Sequence, residues 1–447
     1  MKHLSNVALS LDGRGGAGIA ALFDPGTFTP VGALVKGSAA SNGDCDRESV
    51  ITGYGAVQGR PVFAFVQDGT CAKGAMTVAQ AEKICRLITM AVRAKAPLVG
   101  LFDGAGADIR EGSALLSGYG NLLAALAEAS GVIPTVAYLC GPCGGMNAVL
   151  ASSMDLVLSA PDAAFFLTPP SLRGMDDAAS LTSAAEAGKL TVCEGGIAEL
   201  VRLLSFLPSA CGEEAPTTEE ADASNPVVLP VGDVDGMMRA LFDRADAYPL
   251  LTACAPDTRI ALGRIGGRVI GMIATDPRVN GGKITPKGTE KACALLKLCR
   301  TMHLPVLTLV DSEGLSCDEG NEADAYARLA AAYASFPYPL ITAIVGSAIG
   351  AAFALLSSRS LGTDMVFALE GCRIGTLSAE AAVEATMRGA LKQGEDRVAL
   401  EKTYAREMLS AERALQSGDI DLILPPEQLR ARIAAALEIL ALKGENA

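Results

Sequence analysis

The sequence predicts an α/β protein built by tandem duplication of one domain. Three observations carry this expectation: an internal repeat at nearly constant offset, the same alternation of strand-like and helix-like segments in each copy, and two uncharged stretches of matching anatomy. In the repeat, Gly55, Gly59 and Arg60 of TGYGAVQGRPV return as Gly263, Gly267 and Arg268 of IALGRIGGRVI, 208 residues on. Glu82-Lys83 and Cys85 return as Glu290-Lys291 and Cys293, Pro97 as Pro305 and Asp103 as Asp311, at the same offset. Gly141 and Gly145 return as Gly346 and Gly350 at an offset of 205. Matches this regular mark two related domains.

Residues 1–50 form an N-terminal lead-in whose one apolar piece, Ile19 to Phe23, precedes the turn-rich Asp24-Pro25-Gly26. The first domain is expected over 51–210, and each copy reads as hairpin, helix, strand, helix, strand, turn, helix, strand. Thr77 to Arg93 places Val78, Ala81, Ile84, Cys85, Ile88 and Val92 on one helical face, with Gln80, Lys83 and Arg86 on a polar one. Strands are expected at Leu98 to Phe102 and Leu304 to Val310. GVIPTVAYLCGPCGGMNAVLASSM, from Gly131 to Met154, contains no charge. Pro134, Pro142 and its glycines break any membrane span, so it reads as a buried strand (Val132 to Leu139), a glycine turn and a buried helix (Ala148 to Met154). PLITAIVGSAIGAAFALL, from Pro339 to Leu356, repeats that anatomy. The acidic, proline-bearing stretch after Cys211 predicts a linker and short helix over 211–255, leaving 256–447 for the second domain. Pro426 to Leu442 reads as an amphipathic helix with Leu429, Ile433, Leu437 and Leu440 as its stripe.

Composition narrows the chemistry. A net charge of −13 disfavours nucleic acid as a partner, and the absence of a sustained apolar run near the start predicts no signal peptide. Twelve scattered cysteines then suggest reduced thiols in the cytoplasm. Cys140-Gly-Pro-Cys143 matches a thioredoxin-type redox motif letter for letter, but lacks a counterpart in the second uncharged stretch and reads as two buried thiols. The only histidines are His3 and His303, which removes the Ser-His and Cys-His triads. No phosphate-binding GxxxxGK[ST] loop is present, no GxGxxG both follows a strand and opens a helix, and no residue spacing suggests a bound metal. What remains is catalysis by backbone N–H groups at the two glycine turns, a device suited to the oxyanion of a thioester enolate.

FDGAGADIREG, from Phe102 to Gly112, followed by GPCGG from Gly141 to Gly145, resembles the crotonase superfamily, and within it the carboxyltransferase subunits of biotin-dependent acyl-CoA carboxylases and the related decarboxylase α subunits. ITGYGAVQGRPVF, AEKIC, ASGVIP, ELVRLLSFLP and LGTD extend the likeness from Ile19 to Leu440. The resemblance implies two crotonase-like (ClpP/crotonase) β-β-α domains, the first binding a short acyl-CoA and the second biotin on a separate carrier protein. The active site would lie between the first domain of one subunit and the second of another. By resemblance, N–H groups at Gly145 and Met146, with Ala105 and Gly106 nearby, hold the thioester oxygen, and those of Ala351 and Ala352 hold the biotin ureido oxygen. Gly144 and Gly350 flank these donors, Ala354 falls where acyl-chain length is sensed, and Lys73 is a candidate for CoA phosphate together with Arg60, Arg86 and Arg110. Asp103 and Asp311, at matching strand ends, read as acceptors that orient the turns, and Glu111 as a helix-start charge. The implied partners are a biotin carboxyl carrier protein, a biotin carboxylase or a membrane decarboxylase subunit, and further copies of the chain in a hexamer.

The chain departs from the family pattern at several points. Met146 stands where a glycine is usual, Ala351 where a second glycine is usual, Asp108 in place of an arginine, and Lys73-Gly74 in place of paired glycines. A crotonase-type hydratase would need glutamates where this chain has Val149 and, approximately, Pro170. A decarboxylase subunit and a non-catalytic scaffold are the other readings.

Overall fold

The computed structural model describes residues 14–35, 48–104, 106–218, 226–316, 322–356, 358–441 and 443. The chain divides into two units, residues 1–215 and 216–447. Among the described residues, the first holds a sheet of eight strands: β1 (Thr29–Val31), β2 (Val50–Val57), β3 (Arg60–Gln67), β4 (Leu98–Gly104), β5 (Thr135–Gly144), β6 (Leu156–Ser159), β7 (Ala164–Phe166) and β8 (Thr191–Val192). Their order is β1-β2-β3-β4-β5-β6-β8, with β7 pairing the far end of β5. The second unit repeats the plan with β9 (Tyr248–Leu250), β10 (Thr258–Ile265), β11 (Arg268–Thr275), β12 (Val306–Ser312), β13 (Leu340–Ile349), β14 (Met365–Leu369), β15 (Arg373–Gly375) and β16 (Leu422–Leu424), in the order β16-β14-β13-β12-β11-β10-β9 with β15 on β13. β2 and β10, β3 and β11, and β4 and β12 lie 208 residues apart, and β5 and β13 lie 205 apart. The architecture is thus α/β with duplicated halves.

Each hairpin turns where both central residues take positive φ, Gln58 and Gly59 in the first unit and Gly266 and Gly267 in the second. A carboxylate closes each turn. Asp24 accepts the N–H groups of Gln58 and Gly59 at 3.1 and 2.8 Å, and Asp243 those of Gly266 and Gly267 at 3.2 and 2.7 Å. The Asp24 turn expected in the lead-in is therefore a cap on the first hairpin.

The helix expected from Thr77 runs Val78–Ala94, with Thr77 as N-cap in a capping box with Gln80. Its polar face differs from expectation, because Gln80 and Lys83 are buried. Gln80 Nε2 donates to Glu48 and Ser49, and Lys83 Nζ donates to the Val50 carbonyl at 2.7 Å. Lys291 does the same in the second unit, donating to the Cys254 carbonyl at 2.7 Å. Both lysines tie their helix to the segment that opens the hairpin rather than face water. The last helix spans Leu429–Ile439, burying Leu429, Ile433 and Leu437 and leaving Leu440 at its C-cap.

The core of the first unit lies between its sheet and the helices Val78–Ala94 and Ser113–Ala129, with Phe65, Phe102, Ile84, Leu87, Tyr119 and Leu122 at its centre. Apolar burial of this kind drives collapse at roughly 25 cal/mol per Å². Of the described cysteines, Cys71 is disulfide-bonded, a departure from the expectation of reduced thiols throughout, and nine are free. Among the described residues, no helix is long and apolar enough to cross a membrane.

Candidate active site

β5 does not stop at Leu139. It continues through the Cys-Gly-Pro-Cys sequence to Gly144, because the register against β4 shifts between Leu139 and Cys143, pairing Phe102 with Leu139 and Gly104 with Cys143. Such a bulge leaves Pro142 out of the ladder with β4, while on its other side it pairs with Ala164 of β7, and re-aims the strand end. Cys140 and Cys143 are free thiols within this strand, and burial pushes Cys140 up to about 12 and Cys143 higher still. Neither has the lowered pKa of a redox thiolate.

The turn itself is one residue. Gly145 sits at φ 57°, ψ −128°, and the Met146–Ser152 helix starts directly after it. Its counterpart Gly350 sits at φ 59°, ψ −132° before the helix Ala351–Leu355. In both, the glycine N–H is committed to the short strand alongside: Gly145 donates to Phe166 O at 2.9 Å, and Gly350 to Gly375 O at 2.8 Å. Gly145 therefore orients the turn without offering a donor. Among the described residues, the N–H of Met146 has no acceptor, nor do those of Ala351 and Ala352. The Met146 side chain is partly buried against the core of the first unit.

A second free donor lies beside the first turn. Among the described residues, the N–H of Gly106 has no acceptor; its carbonyl accepts from Met76 at 2.9 Å, and a Cβ there would lie 3.5 Å from Gly144 O, in ordinary contact. Ala105, named with it, lies outside the described residues. Backing this loop is the turn Ala72–Gly74, in which Lys73 is exposed at φ 54°. A Cβ on Gly74 would overlap the Asp103 carbonyl oxygen, so the two loops meet backbone to backbone and glycine is required there.

Asp103 and Asp311 sit beneath the turns. Asp103 accepts from Gly69 N–H at 3.3 Å and faces Arg14 at 3.6 Å, while Asp311 accepts from Ser347 N–H at 2.8 Å. Burial raises both carboxyls above the ordinary aspartate range. A Cβ on Gly141 would run into Asp103, and one on Gly346 into Asp311, which explains the repeated glycine–aspartate pairs.

Two of the basic residues considered for phosphate are committed elsewhere. Arg60 donates to the Leu204 and Leu207 carbonyls, closing the C-terminus of the helix Ile197–Leu204. Arg110 pairs with Asp108 at 2.6 Å, which holds the Asp108 carboxyl below its usual range. Arg86 and Lys73 remain exposed. Glu111 accepts the Val78 N–H at 2.5 Å, a helix-start charge rather than a base. Val149 and Pro170 supply no carboxylate, so a hydratase acid–base pair is not assembled. Ala354 is exposed in the Ala351–Leu355 helix.

The Carboxyl transferase domain family matches residues 17–446. The chain belongs to this family. It is an enzyme of the biotin-dependent acyl-CoA carboxyltransferases, whose members serve carboxylases and decarboxylases. This carboxyltransferase is 29% identical to the methylmalonyl-CoA decarboxylase α subunit of Propionigenium modestum over 96% of its own length and 90% of the relative's. It is 30% identical to the methylmalonyl-CoA carboxyltransferase 12S subunit of Propionibacterium freudenreichii subsp. shermanii, covering 95% and 88%, and 28% identical to the mitochondrial propionyl-CoA carboxylase β chain of Mus musculus, covering 95% and 84%. A transcarboxylase 12S crystal structure, described as a hexamer with methylmalonyl-CoA and methylmalonic acid bound, aligns at a TM-score of 0.89 and 28% identity, covering 96% of this chain and 90% of that one. The fold is accordingly the tandem crotonase-like one implied by the sequence.

Proposed function

We propose that this chain is the carboxyltransferase subunit of an acyl-CoA carboxylase acting on a short acyl-CoA of the acetyl or propionyl class. The observation that carries the reading is a pair of donors in the first unit, Gly106 N–H and Met146 N–H, that have no acceptor among the described residues. Two such donors stabilise negative charge on a thioester oxygen as the α-carbon becomes an enolate, and need no titrating group. In the second unit the Ala351 and Ala352 N–H groups have no acceptor among the described residues, which suits an acceptor-only ureido oxygen. Biotin, carried on a separate protein, supplies the transferable carboxyl group. Lys73, exposed on the loop behind Gly106, is the phosphate contact of this reading, and Ala354 the acyl-length position. A hexamer, a biotin carboxyl carrier, a biotin carboxylase partner and a cytoplasmic setting belong to the same proposal.

The reverse transfer, in a decarboxylase complex, uses the same donors, and the similarity to a decarboxylase α subunit at 29% identity keeps that direction as the second reading. A non-catalytic scaffold is disfavoured by one fact. Met146 packs its side chain on the core while its N–H stays free.

Isothermal titration with acetyl-, propionyl-, methylmalonyl- and glutaryl-CoA tests the proposal. Saturable binding of a C2–C4 thioester by wild type is expected. Binding only after Met146→Gly would make the scaffold reading lead, and binding by neither form would overturn the acyl-CoA assignment.

A further inference from the structure

One residue past the Met146 donor stands a side chain to which neither the motif pattern nor the resemblance gives a role. Asn147 is fully buried, and both ends of its amide are engaged. Nδ2 donates to the Gly104 carbonyl at 3.0 Å, and Oδ1 accepts from the Tyr119 hydroxyl at 2.7 Å. The carbonyl partner fixes which end is nitrogen. Tyr119 is itself fully buried in the Ser113–Ala129 helix, where burial raises its phenol and keeps it a donor. The bonds thus run from that helix through Asn147 to Gly104, the last residue of β4, two before Gly106. Asn147 lies on the same helix as the Met146 donor, so one amide spans the two backbone segments that carry the free N–H groups.

The second unit shows what this brace replaces. There the position 205 residues on is Ala352, and the matching loop is held by other means. The Tyr326 hydroxyl reaches the carbonyls of Ser316 at 2.7 Å and Ile284 at 3.1 Å directly. Gly314 N–H, the counterpart of Gly106, donates to Ser312 Oγ at 3.2 Å, and Ser312 Oγ donates to Gly314 O at 3.0 Å. In the first unit the residue matching Ser312 is Gly104, which has no hydroxyl to take the loop amide. Among the described residues the loop amide has no acceptor, and the loop is steadied from outside.

We propose that Asn147 is a positioning residue that holds Gly106 N–H in register with Met146 N–H on one thioester oxygen, an inference that rests on the carboxyltransferase reading above. An N–H displaced by about 1 Å forfeits its share of enolate stabilisation, on the order of 100-fold in rate. Binding of the ground-state thioester depends mainly on the rest of the CoA molecule.

The test uses the full chain, methylmalonyl-CoA as carboxyl donor and free biotin as acceptor. Asn147→Leu, close in volume but without hydrogen bonds, is expected to lower kcat about 100-fold while KM for the thioester stays within about twofold. Asn147→Asp is expected to show the same loss at pH 8 and to regain activity relative to wild type toward pH 5.5, because full burial raises a carboxyl at this position and the protonated form again donates to Gly104 O. Tyr119→Phe keeps the Asn147–Gly104 bond and is expected to lose less than tenfold. Should Asn147→Leu fold poorly, the pH profile of Asn147→Asp decides. A kcat at pH 8 within twofold of wild type for Asn147→Leu or for Asn147→Asp would overturn the proposal. So would a loss that tracks thermal stability, with no recovery of Asn147→Asp at low pH. Wild type inactive with every acyl-CoA would overturn the carboxyltransferase reading itself, a failure distinguishable because it precedes any substitution.

Discussion

Replacing Gly145 by alanine isolates the turn's backbone from everything else around it. At φ 57°, ψ −128° the residue occupies a region that L side chains rarely adopt, yet a Cβ there would meet no atom within 4 Å. The cost is therefore conformational, about 1–3 kcal/mol if the geometry is kept. Turning φ negative avoids that strain but breaks the Gly145 N–H···O Phe166 bond of 2.9 Å, worth about 1 kcal/mol, and swings the following amide, Met146 N–H, off its direction. Loss of that donor lowers kcat by about 100- to 1,000-fold. Thermal melting and carboxyl transfer from methylmalonyl-CoA to biotin measure the two effects separately. Gly131→Ala is the control, since Gly131 also has positive φ, at 77°, and open space around it but stands away from the turn. It should melt lower by about 2–4 °C per kcal/mol with kcat unchanged. If Gly145→Ala melts lower but transfers carboxyl at the wild-type rate, the turn does not position a catalytic donor.

Arg60→Met removes the charged donor from the Leu204 and Leu207 carbonyls and should destabilise the chain by about 2 kcal/mol in chemical denaturation, without altering KM for acyl-CoA. Lys291 has its pKa lowered to about 8 by burial, against 10.5 ordinarily, so the unfolded chain holds its proton over a window where the folded chain has lost it. Stability therefore rises with pH between about 8 and 10.5, and the stability of wild type relative to Lys291→Met should increase across that window by about 3 kcal/mol in denaturant titrations. Cys140 and Cys143, both raised by burial, should resist iodoacetamide at pH 8 in the native chain and react only on unfolding. Rapid native labelling of both would restore the redox reading.

Much of the fold was legible because the same physical constraints recur in both copies. A glycine beneath which an aspartate is packed, at Gly141 over Asp103 and Gly346 over Asp311, has no substitute and marks the repeat in the sequence. The site was partly legible for the same reason, since Gly145 and Gly350 need a backbone conformation that few residues adopt. Other features depended on tertiary partners that local pattern does not contain. Pro142 and its glycines read as a turn, but a bulge against β4 lets β5 run through them. Lys83 and Gln80 read only as a polar helical face, and their burial was hidden because their acceptors, Val50 O, Glu48 and Ser49, come from a segment some thirty residues away. Gly145 read as a donor until the Phe166 carbonyl, on β7, was seen to take its N–H. Asn147 left one trace, the only side-chain amide in an uncharged stretch, and its partner Tyr119 stands on another helix.

The most direct test of the central claim is the transfer of radiolabelled carboxyl from methylmalonyl-CoA to free biotin by the purified chain. The account predicts biotin-dependent formation of propionyl-CoA and carboxybiotin in equal amounts, abolished in the double variant that replaces Gly145 and Asn147. Absence of biotin-dependent transfer by a folded wild-type chain that binds the thioester would contradict it.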